Sequence, residues 1–148
     1  MDNFFKSLEI REEINDKIGM GFVLYGIGYI YMQQGKFSKA KEYLEKSLSV
    51  EKEAGYREIT FGVTTFLYLT YKHLGTDYDK KEIHSLIKKA ENIEFELNYA
   101  LYELLEDTSY LETAYNQVQE KASAMDDGAK FLSYPIPKAI VEEWKKVK

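Results

Sequence analysis

One stretch of this sequence recurs forty residues further along the chain, and such a repeat constrains the fold more than any other feature. The segment KSLEIREEI begins at Lys6, and the similar segment KSLSVEKEA begins at Lys46. The residues that follow each segment are also alike, and Gly35 and Gly75 close them at the same offset. Repeats of this kind pack each unit on the next, so we expect a stack of similar units.

The repeated unit is expected to be helical because helix breakers are rare. The chain has only two prolines, Pro135 and Pro137, while Glu, Lys, Leu and Ala are abundant. We therefore predict helices joined by short turns over roughly the first 130 residues, and an all-α fold.

Small and apolar residues follow a defined spacing within residues 19–55. They are Leu24, Ile27, Gly28, Tyr31, Ala40 and Leu44. This spacing resembles that of the tetratricopeptide repeat, a pair of antiparallel helices that approach closely where small side chains meet. The resemblance implies an α-solenoid, a right-handed superhelix of such pairs, with Gly28 touching Ala40. Lys52 replaces the family's usual proline and the spacing is forty residues, so the chain is similar to the long-repeat subclass.

The pattern divides the chain into several parts. Residues 1–18 resemble the second helix of a repeat, and full repeats are expected at about 19–55, 56–95 and 96–127. Tyr68 replaces the packing glycine in the second pair, so those helices are expected to lie further apart. Ser109 and Glu112 are predicted to form a capping box for the last repeat helix. A half repeat exposes an apolar edge, which helical arrays normally cover. We therefore expect either that the chain is a piece of a longer protein, similar to bacterial signalling proteins, or that another chain covers this edge.

The composition changes after the array. The residues DDGAK are predicted to form a turn, and residues 131–148 contain both prolines and the single tryptophan, Trp144. Pro137 suits the first position of a short last helix, whose apolar face would contain Ile140, Val141 and Trp144. This segment either caps the last repeat or links the array to a following domain.

Charge and composition exclude several classes of function. The net charge of −5 is spread along the chain, which argues against nucleic acid as a partner. No apolar run reaches the ~18 residues that span a membrane, and we expect a cytoplasmic location. With no cysteine, and His73 and His84 on different predicted helices, we expect no metal site and no cofactor. We find no nucleophile–base pair or phosphate-binding loop, so we predict no enzymatic activity and interpret the acidic residues of 94–107 as a solvated face.

A binding surface is the remaining candidate. In the family, the first helices of successive repeats line a concave face that holds ligands. The resemblance places there Phe22, Tyr25, Tyr29, Met32 and Gln33 in the first repeat, Gly62, Thr65, Leu69, Lys72 and His73 in the second, and Asn98, Tyr99 and Tyr102 in the third. The stripe from Phe22 to Met32 has helical spacing, so it either packs as ordinary core or forms a groove for an extended or helical peptide.

These observations predict a non-catalytic scaffold that binds a peptide partner, or a flanking domain of its own protein, in an aromatic groove. Tyr25 and Tyr29 stand where chaperone-binding arrays of the family carry Lys and Asn to grip a terminal carboxylate. We therefore expect a hydrophobic or amphipathic partner segment. Two alternatives stay open: self-assembly into a homo-oligomer through the amino-terminal half repeat, and a regulatory sensor domain of a multidomain signalling enzyme.

Overall fold

The computed structural model describes residues 1–148 and contains nine α-helices and no β-strand. The prediction of an all-α helical repeat fold is confirmed. The chain divides into two compact units, Met1–Ala90 and Glu91–Lys148. Unit 1 contains α1 (Asp2–Glu13), α2 (Lys17–Gln33), α3 (Phe37–Ala54), α4 (Thr60–Leu74) and α5 (Lys80–Lys89). Unit 2 contains α6 (Phe95–Leu105), α7 (Thr108–Ser123), α8 (Gly128–Ser133) and α9 (Pro135–Val147). No helix combines the length and the apolar character that crossing a bilayer requires.

The most extensive helix packing in unit 1 is between α2 and α3. A Cβ built on Gly28 would lie 2.6 Å from Cγ, 2.8 Å from Cδ2 and 3.2 Å from the backbone nitrogen of Leu44. The side chain nearest to Gly28 is therefore that of Leu44, one helical turn beyond Ala40, the residue that the sequence predicts in contact with Gly28. Ala40 and Ile27 are fully buried in the same unit, so the small residues do allow the helices to approach closely.

Helix α1 packs on the other side of α2. A Cβ at Gly26 would lie 2.9 Å from Cε1 of Phe4, so this glycine makes room for an aromatic ring of α1. The turn between the two helices is held by Asp16, which accepts hydrogen bonds from the Gly19 N–H at 2.9 Å and from Arg11 Nη1 at 2.6 Å. The Gly19 N–H and then the Arg11 guanidinium hold the pKa of Asp16 below its usual value.

Two polar side chains of α3 fix its neighbours. The buried Ser47 hydroxyl donates to the carbonyl oxygen of Gly21 in α2 at 2.8 Å. Glu51, which is 4% exposed, accepts hydrogen bonds from the Ile59 N–H at 3.1 Å and from the Thr60 hydroxyl. Because the first N–H groups of a helix have no partner within it, Glu51 acts as a cap for α4 supplied by another helix.

Two details of unit 2 differ from the sequence predictions. The cap of α7 is Asp107, whose Oδ1 accepts from the N–H of Ser109 at 2.9 Å and from its hydroxyl at 2.7 Å, so the predicted Ser109–Glu112 capping box is wrong. The last helix begins at Pro135, not at Pro137. Proline is tolerated at both positions because the N–H groups of the first turn bond to nothing inside the helix.

The segment after α7 packs into unit 2. The predicted turn DDGAK gives way at Gly128 to the short helix α8. Ile140 of α9 is fully buried in a core cluster with Phe95, Leu111, Ala114 and Val118. The ring of Trp144 stacks on that of Tyr115 at a centroid distance of 5.6 Å. The carboxyl-terminal residues are therefore part of the hydrophobic core of this unit.

Candidate functional site

An aromatic surface joins α2 to α4 in unit 1, and we call it the α2–α4 aromatic face. It consists of Phe22, Tyr25 and Tyr29 of α2 with Phe66 of α4. The Phe66 ring lies 6.1 Å from the Tyr25 ring and 4.9 Å from the Tyr29 ring, centroid to centroid. Phe66 is 4% exposed, so it supports the two tyrosines from below. Ring contacts at these distances add to the stability of apolar packing and restrain the orientation of the rings.

Gly62 makes this arrangement possible. A Cβ at this position would collide with the hydroxyl oxygen of Tyr25 and lie 3.1 Å from its Cζ. The absence of a side chain on α4 therefore lets the Tyr25 ring lie across the start of that helix. At the same end of α2, Phe22 is 44% exposed and its ring lies 5.7 Å from the ring of Tyr56.

Besides Gly62, three of the predicted binding residues of unit 1 are buried. Met32 is 8% exposed, Leu69 is 4% exposed and Thr65 is fully buried. The Thr65 hydroxyl donates to the carbonyl oxygen of Phe61 in its own helix at 2.8 Å. These three side chains occupy core positions and offer a partner almost no surface.

The other predicted residues of unit 1, Gln33, Lys72 and His73, are exposed near the carboxyl ends of α2 and α4. The His73 ring stacks on the Phe37 ring with a centroid distance of 4.3 Å and an angle of 6° between the planes. Phe37 begins α3, so this stack joins the ends of two helices of unit 1.

The predicted residues of unit 2 form a separate group. Tyr99 and Tyr102 stack at 6.3 Å and pack against the core cluster of that unit, and the Tyr102 hydroxyl donates to Glu143 Oε1 at 2.9 Å. Burial raises the pKa of Tyr99 to about 12. The buried Asn98 side chain donates to the Ile93 carbonyl and to Gln117 Oε1, which gives it a structural role.

Sequence reasoning missed the residue that holds the face together. Phe66 lies one position beyond Thr65, which the assumed register of α4 assigned to the binding face. The available signal was its position four residues after Gly62, because residues at this spacing lie on the same side of a helix. An aromatic residue one turn after a glycine was therefore a recognisable partner for the tyrosines of α2.

Comparison with known proteins identifies one segment. Residues 22–53, from α2 to α3, match the sequence model of the tetratricopeptide repeat. No curated protein and no solved structure matched the chain. Tetratricopeptide repeats generally mediate protein–protein interaction and are typically non-catalytic.

Proposed function

We propose that this chain, whose residues 22–53 match the tetratricopeptide repeat, is a non-catalytic scaffold that binds a partner segment on the α2–α4 aromatic face. The partner is a hydrophobic or amphipathic peptide, or a flanking domain of the same protein. The observation that supports this proposal is a half-exposed Phe22 beside two tyrosines that rest on one buried phenylalanine.

Rigid aromatic side chains are well suited to binding. They offer a large contact area and lose little conformational entropy when a partner covers them, so they often dominate the energy of an interface. Phe66 already restrains the rings of Tyr25 and Tyr29 before any partner binds. A partner that lays an apolar side chain over these rings therefore has few further rotamers to fix.

A binding experiment with point variants tests this proposal. The purified protein serves as bait, the captured partner is identified by mass spectrometry, and its affinity for wild-type protein and variants is then measured. We expect Phe22→Ala to weaken binding by about tenfold or more, while the melting temperature stays close to that of the wild type because Phe22 is 44% exposed. The matched control is Tyr134→Ala, which removes a ring of similar exposure (48%) from unit 2.

The double variant Tyr25→Ala/Tyr29→Ala separates binding from packing. If these rings form the binding face, affinity falls while the helical circular dichroism signal survives. A collapse of the melting temperature would instead assign both tyrosines to the core. Wild-type affinity in both this variant and Phe22→Ala would refute the proposed face.

A second function, self-assembly, is favoured by a different observation. Helix α1 has no buried residue, and Ile10, Ile14 and Ile18 near it are 58%, 67% and 45% exposed. Exposed apolar residues that lie together commonly mark an interface. Under this alternative, sedimentation velocity should show a concentration-dependent dimer that Ile14→Lys abolishes. The control Met125→Lys, which changes an apolar residue of unit 2 that is 45% exposed, should leave the dimer intact.

A further inference from the structure

The outer side of α5 carries a concentration of positive charge. Four of the ten residues of this helix are lysines, and its one acidic residue is Glu82. Ile83 is fully buried in unit 1, whereas Lys81 and Lys88 lie on the opposite side of the helix, two turns apart. All four lysines are exposed, and we call them the α5 basic face: Lys80, Lys81, Lys88 and Lys89.

The lysines of the α5 basic face form no ion pair within the chain. Several other lysines do, among them Lys17 with Glu53 and Lys46 with Glu42. The acidic residue of α5 is engaged elsewhere, because Glu82 Oε2 accepts a hydrogen bond from the Tyr68 hydroxyl of α4 at 2.7 Å. The α5 basic face therefore presents ammonium groups that are open to an outside anion.

Helix stability accounts for only half of the α5 basic face. Lys88 and Lys89 lie in the last turn of α5, where the negative end of the helix dipole favours cations. Lys80 and Lys81 are the first two residues of the helix, where the positive end of the dipole disfavours them. The nearest carboxylate in the sequence, that of Asp79, caps the helix and accepts from the Lys81 backbone N–H at 3.0 Å. Two cations thus stand where they lower the stability of α5, which indicates a role other than folding.

The length of α5 decides which kind of anion fits the face. Ten helical residues span about 15 Å, and attraction between exposed charges is screened beyond about 8 Å at physiological ionic strength. A partner short enough to stay over α5 therefore meets mainly lysines. A bilayer or a long nucleic acid would extend beyond them over a chain whose net charge is −5. The apolar side of α5 is also turned inward, with Ile83 fully buried, so it is not available for insertion into a membrane.

We propose that the α5 basic face docks an acidic peptide segment of a partner protein, a run of about five extended residues rich in Glu or Asp, which matches the length of α5. Exposed ion pairs are individually weak, so the contact depends on several lysines acting together. Such a contact speeds association and selects partners by charge, and salt weakens it. The site is separate from the α2–α4 aromatic face and does not depend on it.

Fluorescence anisotropy of labelled hexaglutamate, titrated with the full chain, tests the proposal. Hexaglutamate should bind in low salt and lose most of its affinity in about 150 mM NaCl, whereas hexaglutamine should not bind. Lys81→Glu/Lys88→Glu should weaken hexaglutamate binding by about tenfold or more. The two substitutions have opposite effects on the helix dipole, so the circular dichroism spectrum and the melting temperature should stay close to those of the wild type.

The matched control is Lys138→Glu/Lys145→Glu. It makes the same change of charge at two exposed lysines of α9 that are also seven residues apart, and it should keep wild-type affinity for hexaglutamate. An equal loss in both double variants would show that only net charge matters and would overturn the site. Absence of hexaglutamate binding would overturn it too, and capture by phosphatidylserine vesicles or by a short DNA duplex through Lys81 and Lys88 would then reassign the face to a membrane or to nucleic acid. Phe22→Ala should leave hexaglutamate binding unchanged, so this test and the test of the aromatic face can fail independently.

Discussion

Gly28→Ala should destabilise unit 1, although alanine is the better helix former. The added Cβ would lie 2.6 Å from Cγ of Leu44 and 3.2 Å from its backbone nitrogen. Leu44 is fully buried, so its side chain has no open space to move into, and its backbone belongs to α3. The methyl group can therefore be accommodated only if α2 and α3 move apart.

The size of the effect follows from two opposing contributions. Overpacking a tight core costs about 1–3 kcal/mol, and replacing a mid-helix glycine by alanine returns about 1 kcal/mol of helix propensity. Because the clash involves both the side chain and the backbone of Leu44, we expect overpacking near its upper limit and a net loss of about 1–2 kcal/mol. The control is Gly21→Ala, since a Cβ at Gly21 would meet its nearest atom, Cδ1 of Ile59, at 3.8 Å. That variant should gain stability, by up to about 1 kcal/mol.

Urea denaturation followed by circular dichroism at 222 nm measures both changes. Fluorescence of Trp144, the only tryptophan, reports on unit 2 and should keep its wild-type midpoint if the two units unfold separately. In a Leu44→Ala background the penalty of Gly28→Ala should shrink or reverse, because the alanine methyl then occupies part of the space that Leu44 leaves. A Gly28→Ala variant at least as stable as the wild type would show that α2 and α3 are not in close contact here.

Three further predictions concern single polar groups. Glu51→Ala should lower the free energy of unfolding by about 1–3 kcal/mol, because it deprives the buried Ile59 N–H of its acceptor. An unchanged midpoint in urea titrations would contradict the role of Glu51 as a cap of α4. Unit 2 should lose stability as the pH rises from about 10 to about 12, because burial raises the pKa of Tyr99 to about 12 and the unfolded chain ionises first. Thermal melts followed by Trp144 fluorescence should show this fall and a smaller one in Tyr99→Phe; equal falls would rule out Tyr99 as the cause. Asp107→Ala should lower the free energy of unfolding by about 1 kcal/mol, because it removes the α7 cap. Asp107→Asn keeps a capping oxygen and should lower it by less when both variants are compared by urea denaturation.

Local patterns in the sequence predicted the helices well. The scarcity of proline and the spacing of apolar residues depend on neighbours within one or two turns, and they predicted an all-α helical chain. The helix-ending glycines Gly35, Gly55 and Gly75 all have positive φ, a conformation that glycine adopts without strain. Such features are readable from the sequence because the backbone conformation they require is local.

Contacts between helices were harder to predict. The spacing predicted a contact of Gly28 with Ala40, but the side chain nearest to Gly28 is that of Leu44, because sequence spacing does not fix how far one helix slides along the next. The α7 cap was misplaced for a related reason. Asp107 and Ser109 are both good capping residues. In the structure, Glu106 ends α6 with a φ of 57°, and the next residue, Asp107, caps α7.

The distribution of glycine and aromatic residues along α2 also separates its packing from its proposed binding surface. Gly26 admits Phe4 of α1 and Gly28 admits Leu44 of α3, whereas Tyr25 and Tyr29 meet Phe66 of α4. Substitutions at the glycines should therefore act mainly on stability, and substitutions at the half-buried tyrosine rings mainly on affinity. Gly62→Ala is the informative exception: its Cβ would displace the Tyr25 ring from α4, so it should weaken partner binding more than Gly28→Ala does at equal loss of stability. If partner affinity instead followed stability alone across these variants, the aromatic rings would have no role beyond packing, and the proposed binding face would have to be abandoned.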